Sequence, residues 1–261
     1  MMNATIFKQT VRANYKLWIV FTVVLSVLNA VLIAVFEPST LTNMADMVKD
    51  TPLASLLGDT SFLGMLTQTF YSIHGVILPL IFIIMTANSL VASQVDKGSM
   101  AYLLSTPIKR TAVVRTQALY LIAAVFTMFL IVTLAGMVAI HISQGDLGTY
   151  LVDFIALNAG LFLLMFATSG ISFMFSCIFN LSKHSLALGA GIPVAFFLFH
   201  LMAQVSDSLE GFKYLSLNSL FDTAAILSGD SYWLPFTILG VVGIVIYIIG
   251  IRVFKGKDLP L

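Results

Sequence analysis

The chain has 261 residues, of which 59% are hydrophobic and only 10% charged, and its mean hydropathy is +1.01. A soluble domain carries about 25% charged residues, so this composition excludes a surface that faces water throughout and predicts an exterior that faces lipid. The formal net charge of +1 conceals charges that are sorted by position along the chain. The single cysteine, Cys177, excludes an intrachain disulfide and a cysteine-based metal cage.

Six stretches of the chain are long and apolar enough to cross a membrane, which takes roughly 20 residues. They cover residues 17–36, 73–92, 118–140, 151–179, 185–203 and 233–254. The first stretch is too long to be the apolar core of a secretory signal, so we interpret it as a retained span. We therefore predict an all-α integral membrane protein with six transmembrane helices, forming a single transmembrane domain over residues 1–261.

The segment before the first span, residues 1–16, combines apolar and basic side chains. They are Ile6, Lys8, Val11, Arg12, Tyr15 and Lys16. This pattern favours an amphipathic helix that lies on the inner membrane surface. A frayed basic terminus is the alternative.

The connections between the spans fall into two sets of opposite charge. The first set, which includes both chain ends, holds 11 of the 13 Lys and Arg residues, whereas the second holds 10 of the 12 acidic residues. The two sets alternate correctly across all six spans. Because basic connections remain in the cytoplasm, we expect both termini to be cytoplasmic.

The two long acidic connections, residues 37–70 and 204–232, contain apolar pieces. In the first, residues 53–66 are apolar enough to form a short helix at the membrane interface; in the second, residues 214–217 and 224–227 are apolar. Such pieces are expected to lie on the membrane or to tuck between helices rather than to extend into water.

Mild polar residues occur within the predicted spans. Ser26 and Asn29 share a face of the first span, and Thr86 and Asn88 lie in the second. Hydrogen bonding between helices, worth about 1 kcal/mol or less per bond in lipid, is one interpretation of these four residues. The other is that they line a substrate path, and the sequence leaves both open.

The basic connection between the second and third spans has a distinctive sequence. Residues 94–110 read QVDKGSMAYLLSTPIKR. Residues 93–104 can form a short amphipathic helix with Met100, Leu103 and Leu104 on one side. Pro107 then ends it, because a residue before proline disfavours the helical conformation. An ordinary basic loop is the alternative reading of this periodicity.

This segment resembles the first cytoplasmic loop of the type-2 permeases of ATP-binding-cassette (ABC) transporters. That loop shows an acidic residue, a Gly-Ser/Thr pair, a Leu-Leu run, Ser-x-Pro and a following basic residue. The matching residues here are Asp96, Gly98, Ser99, Leu103, Leu104, Ser105, Pro107 and Arg110. Asp96-Lys97 departs conservatively from the Glu and Arg/Lys that the family usually carries. The motif covers about seventeen residues, while the six-span arrangement extends the resemblance over the whole chain.

The resemblance implies that this loop forms a coupling helix, which docks in a groove of a separate nucleotide-binding subunit. Met100, Tyr102, Leu103 and Leu104 would then form the inserting apolar face. Pro107 would fix the exit angle into the third span, and Gly98 would permit close backbone approach.

The resemblance further implies an exporter in the cytoplasmic membrane of a bacterium. Two permeases, identical or related, would work with two copies of an ABC ATPase that holds ATP and Mg²⁺, because two-fold symmetry of the permeases matches two ATPases. Membrane lipid is the other expected partner, and no nucleic acid is expected. The 21 phenylalanines and 12 methionines suit an amphipathic peptide, a lantibiotic-like toxin or a hydrophobic drug as cargo, although they could equally face lipid.

The sequence offers no chemistry of its own. It contains no Gly-x-x-x-x-Gly-Lys-Ser/Thr phosphate loop, so ATP hydrolysis is expected in a partner and no cofactor in this chain. No catalytic residues or metal ligands are predicted, because the four histidines lie in four different segments. The alternative function is a six-span secondary transporter or channel not coupled to ATP. The charged residues within the predicted spans, Asp153 and Arg252, lie only near span ends, and the lack of a charge deeper in a span weighs against that alternative.

Overall fold

A computed structural model describes residues 3–48, 61–104, 108–205 and 207–257. All of its regular structure over these ranges is helical. Eleven α-helices follow one another with short π- and 3₁₀-helical segments between them. They are α1 (Ala4–Val35), α2 (Pro38–Val48), α3 (Phe62–Leu66), α4 (Gly75–Leu90), α5 (Ala92–Asp96), α6 (Ser99–Leu104), α7 (Arg110–Gln144), α8 (Leu147–Ile178), α9 (Ser182–Val205), α10 (Thr223–Leu227) and α11 (Trp233–Gly256).

Six helical stretches are long and apolar enough to cross a membrane. They are Ala4–Val35, Phe62–Asp96, Arg110–Gln144, Leu147–Ile178, Ser182–Gln204 and Trp233–Gly256. The prediction of an all-α protein with six transmembrane helices is therefore confirmed. Most of the helical stretches are longer than the apolar stretches predicted from the sequence, because the helices include polar residues that flank those stretches.

The core lies around α8 and the second span. About two thirds (67%) of the apolar window of α8 is buried, compared with 22% for α1, 17% for α9 and 22% for α11. α8 contacts α4, α7, α9 and α11, while α1 packs chiefly on α7. The outer helices expose valine, isoleucine and leucine side chains, which is the surface that lipid tails solvate.

The N-terminal segment differs from the separate interfacial helix predicted over residues 1–16. It forms one uninterrupted helix with the first span, because no glycine or proline occurs between Ala4 and Val35. Asn3 begins the helix, and its side-chain oxygen accepts hydrogen bonds from the Thr5 and Ile6 amides at 3.0 and 3.2 Å. The hydroxyl of Thr10 donates to Gln117 of α7 at 3.1 Å, which fastens this part of the helix to the bundle.

The second span begins earlier than the window at residues 73–92. Phe62 already starts a buried helix, and its ring meets that of Tyr150 at 5.1 Å. The π-helical segment Thr67–His74 joins α3 to α4. Residues 61–66 are thus part of a packed span rather than of an interfacial helix, because Phe62, Leu63 and Leu66 are buried by the bundle. The rest of the helix predicted over 53–66 lies outside the described residues.

The connection between α9 and α11 is compact. It contains the 3₁₀ helices Asp207–Leu215 and Leu217–Leu220, followed by α10. Phe221 and Ile226 are buried against the spans, and the Ser216 hydroxyl donates to the Phe196 carbonyl of α9 at 2.7 Å. This segment therefore packs onto the end of the bundle.

Candidate functional site

The loop that carries the permease-like motif folds as two short helices, α5 and α6, between the second and third spans. Gly98 separates them with a φ of 72°, a left-handed conformation that glycine adopts without a steric penalty. The Ser99 hydroxyl donates to the Gln94 carbonyl at 3.1 Å across this turn. The Asp96 carboxylate accepts a hydrogen bond from the Ser182 amide at 3.2 Å, so the loop is tied to the start of α9.

Two of the four side chains that the resemblance assigns to the inserting face, Met100 and Tyr102, are described, and they differ in burial. Met100 is 1% exposed and packs in the core of this chain, whereas Tyr102 is 81% exposed. Residues two positions apart in an α-helix are rotated by about 200° from each other, so these two side chains cannot share a face. Met100 is therefore an anchor of α6 in the core of this chain, and of the two described side chains Tyr102 is the exposed one.

Other residues of the motif fall at the edge of the described chain. The backbone of Leu103 and Leu104 belongs to α6, but their side chains, together with the whole of Ser105 and Pro107, lie outside the described residues. Arg110 is exposed at the first position of α7.

Sequence reasoning missed a contact between this region and the C-terminal end of α11. The Arg110 guanidinium donates to the Lys257 carbonyl at 3.5 Å, and the Lys257 ammonium donates to the Cys177 carbonyl at 3.1 Å. Cys177 lies in the last turn of α8, where carbonyls lack helical partners and attract cations. Burial lowers the pKa of Lys257 to about 8. Three helix ends thus meet beside the loop.

A polar cavity of ≈ 580 Å³ opens beside the same loop. α1, the second span, α6 and α7 contribute its walls. Its polar lining residues are Gln9, Thr10, Asn14, Ser89, Ser93, Gln94, Lys97, Ser99, Tyr102 and Gln117. Lys97 is the one charged residue in this lining. Residues of α6 and of the N-terminal half of α1 thus line the same cavity.

The four residues predicted to line a substrate path lie in different environments. Asn29 is fully buried against α7, close enough to Gly136 that a β-carbon there would lie 2.8 Å from its amide nitrogen. The Asn88 amide instead donates to the Ser182 hydroxyl of α9 at 2.6 Å. Thr86 is fully buried, and Ser26 is half-buried. Each of the four has a buried polar atom without a hydrogen-bond partner in the structure, which is uncommon for interior polar groups.

A second polar cavity, of ≈ 360 Å³, lies at the opposite end of α9 from Ser182. Tyr71, His200, Lys213 and Asp222 contribute to its lining. The His200 ring and the Gln204 amide are hydrogen-bonded at 2.9 Å. Sequence reasoning did not bring these residues together, since they lie on four elements with no shared motif.

Within the part of the chain that the structure describes, no group of three or more His, Cys, Asp or Glu side chains could hold a metal ion. Cys177 is fully buried. The features that remain are a helical bundle built for a membrane, a two-helix loop joined to two other helix ends, and a polar cavity beside it. Together they define a polytopic membrane protein that has, at one end, a two-helix loop hydrogen-bonded to a neighbouring span.

Comparison with known proteins identifies the family. The sequence profile described as "ABC-2 family transporter protein" matches residues 7–259, nearly the whole chain. The chain therefore belongs to the ABC-2 family of transporter membrane proteins, and the resemblance noted from the loop motif is confirmed. No curated protein and no solved structure gives a significant match to the chain.

Proposed function

We propose that this chain is the permease subunit of an ABC exporter, with both termini in the cytoplasm. It moves an amphipathic or hydrophobic substrate, such as a peptide, a lantibiotic-like toxin or a drug, across the cytoplasmic membrane. A separate ABC ATPase hydrolyses the ATP, and two permeases work with two ATPases. α5 and α6 are the coupling elements that receive the motion of the ATPase.

Two observations support this proposal. The chain belongs to the ABC-2 family, and the loop between the second and third spans is held by contacts with the core and with other helices. Met100 anchors α6 in the core, Asp96 ties α5 to α9, and Arg110 meets the end of α11. Motion of this loop would therefore pass to the core through Met100 and to the start of α9 through Asp96. Tyr102, which projects outward at 81% exposure, is the described apolar side chain of α6 best placed to meet the ATPase.

The experiment is co-purification of the chain with its ATPase, followed by measurement of ATP hydrolysis by the complex in lipid nanodiscs. Leu103→Asp and Leu104→Asp each place a carboxylate on α6, and burying a charge at a protein interface without a partner is costly. We expect both variants to insert in the membrane, to recover about a tenth or less of the ATPase, and to lose substrate-stimulated hydrolysis.

Leu181→Asp is the matched control. Leu181 is 44% exposed in the connection between α8 and α9, so the substitution makes the same chemical change outside α6. We expect this variant to retain the ATPase. Normal ATPase recovery by both α6 variants would overturn the assignment of the coupling element. Transport of a substrate by the chain without any ATPase would instead support a secondary transporter or channel.

A further inference from the structure

The N-terminal half of α1 carries three side-chain stripes, each repeating at spacings of three or four residues. The first, Ile6, Gln9, Thr10, Ala13 and Asn14, lines the polar cavity beside the loop. The second, Phe7, Val11, Tyr15 and Trp18, lines a different depression between α1 and α7. The third, Lys8, Arg12 and Lys16, is exposed. Since a helix turns about 100° per residue, the basic stripe lies beside the second stripe.

The depression between α1 and α7 is an apolar groove of ≈ 230 Å³. α7 contributes Tyr120, Ala123, Ala124 and Thr127 to its lining. The indole nitrogen of Trp18 donates to the Ala124 carbonyl at 2.9 Å, and the rings of Phe7 and Tyr120 meet edge to face at 6.1 Å. These contacts hold the two walls together, while Ala123 and Ala124 leave room for a chain between the aromatic rings.

The groove has the residue types of a lipid-binding site at the membrane interface. From Phe7 to Trp18 the helix rises about 16 Å, and the basic stripe runs beside the groove over the same length, just before the apolar span begins. Tyr15, Trp18 and Tyr120 are of the kind enriched where hydrocarbon meets headgroups. Beyond Trp18 the outward face of α1 becomes aliphatic, with Ile19, Val20 and Val23 exposed.

The stripe of α1 that lies beside the groove is basic. Lys8, Arg12 and Lys16 are exposed on α1, and Arg115 is exposed on α7. Neither helix contains an aspartate or glutamate. Long basic side chains can run along an apolar surface and place their charge at headgroup level. A zwitterionic headgroup would leave this positive charge without a net counter-charge.

We propose that the α1–α7 groove binds one acyl chain of an anionic phospholipid, whose phosphate is held by the basic stripe of Lys8, Arg12 and Lys16. The site depends only on the membrane-spanning fold, so it stands or falls separately from ATP coupling. Its occupant fastens α1 to α7 at the end of the bundle where α1 and the coupling loop line the same cavity.

Trp18 provides the probe, because the chain has only two tryptophans and Trp233→Phe leaves Trp18 alone. The full-length W233F variant is reconstituted in nanodiscs that contain brominated phosphatidylglycerol or brominated phosphatidylcholine at equal mole fractions. Bromine quenches an indole that it touches. A fully engaged cation contributes about 1 kcal/mol, or roughly fivefold in affinity, so three would give about a hundredfold. Because exposed cations are only partly engaged, we expect phosphatidylglycerol to quench Trp18 with about tenfold higher apparent affinity.

Two triple variants of W233F separate the site from general surface charge. K8Q/R12Q/K16Q removes the stripe and should bring the preference close to one. K183Q/R252Q/K255Q removes three exposed basic residues elsewhere and should retain it. Equal quenching by the two lipids in the parent, absence of quenching by either lipid, or the same loss of preference in both triple variants would overturn the proposal.

Discussion

Two buried asparagines show how the neighbours of an interior polar side chain determine its contribution to stability. Asn158 donates from one amide nitrogen to the Tyr71 hydroxyl at 2.7 Å and to the Phe154 carbonyl at 2.8 Å. In Asn29, both the amide nitrogen and the oxygen are buried without a hydrogen-bond partner. The two residues share a type and a high degree of burial, so the difference between them lies in their neighbours.

Replacing each asparagine with leucine is expected to change stability in opposite directions. Asn29→Leu removes two buried polar atoms that have no hydrogen-bond partner and should raise the free energy of unfolding by about 1–2 kcal/mol. Asn158→Leu also removes one buried oxygen that has no partner, but it leaves the Tyr71 hydroxyl without its donor, so it should lower that free energy by about 1–2 kcal/mol. Unfolding of the detergent-solubilised variants measures both values. Equal destabilisation by the two substitutions would contradict the structural difference.

At the scale of elements, the close approach of α8 and α11 depends on small residues at their interface. A β-carbon added at Gly243 would lie 2.5 Å from the Phe166 ring and 3.3 Å from the Ala167 Cα. The Phe166 ring is itself stacked between Phe162 and Tyr247, so it cannot move away freely. The Tyr247 and Ser169 hydroxyls are hydrogen-bonded at 2.7 Å in the same interface. Small residues at such contacts let membrane helices approach closely.

Gly243→Ala is therefore expected to lower the free energy of unfolding by about 1–3 kcal/mol, the range typical of overpacking. Gly240→Ala is the matched control on the same helix, because its added carbon would meet only the Leu163 side chain, at 3.9 Å. Alanine is the better helix former by about 1 kcal/mol, so the control should be neutral or stabilising. The same loss in both variants would show that close approach is not what Gly243 provides.

At the scale of the whole molecule, the distribution of charge predicts orientation. The exposed residue Lys109 precedes α7 in a basic connection, whereas the exposed residue Ser231 lies before α11 in an acidic one. The positive-inside rule assigns these connections to opposite sides of the membrane.

Single cysteines at these two positions test the orientation in intact cells, in a Cys177→Ala background. We expect Ser231→Cys to react with a membrane-impermeant maleimide and Lys109→Cys to react only after the cells are opened. Labelling in the reverse pattern, or equal labelling of both sites in intact cells, would refute a chain with both termini in the cytoplasm.

Much of the fold could be predicted from the sequence because it depends on local properties. Apolar stretches of sufficient length define spans wherever they occur, and the loop motif identified the family that the profile match confirms. The first and last residues of each helix were harder to predict from the sequence. Hydropathy marks where lipid begins, whereas α1 and the second span continue until their backbone hydrogen bonding and packing stop.

The candidate site could be predicted only in outline. The sequence predicted one helix over residues 93–104, whereas the structure has two, α5 and α6, on either side of Gly98. The sequence also could not reveal that Met100 turns into the core, that Lys257 caps the end of α8, or that Asn29 and Asn88 face different neighbours. These are contacts between residues far apart in the chain. The sequence by itself determined the number of spans, the family and the charge asymmetry, since each depends on residue types at known positions. Only the tertiary structure decided which side chains meet, because helix packing sets the rotation of each helix about its axis and hydropathy does not.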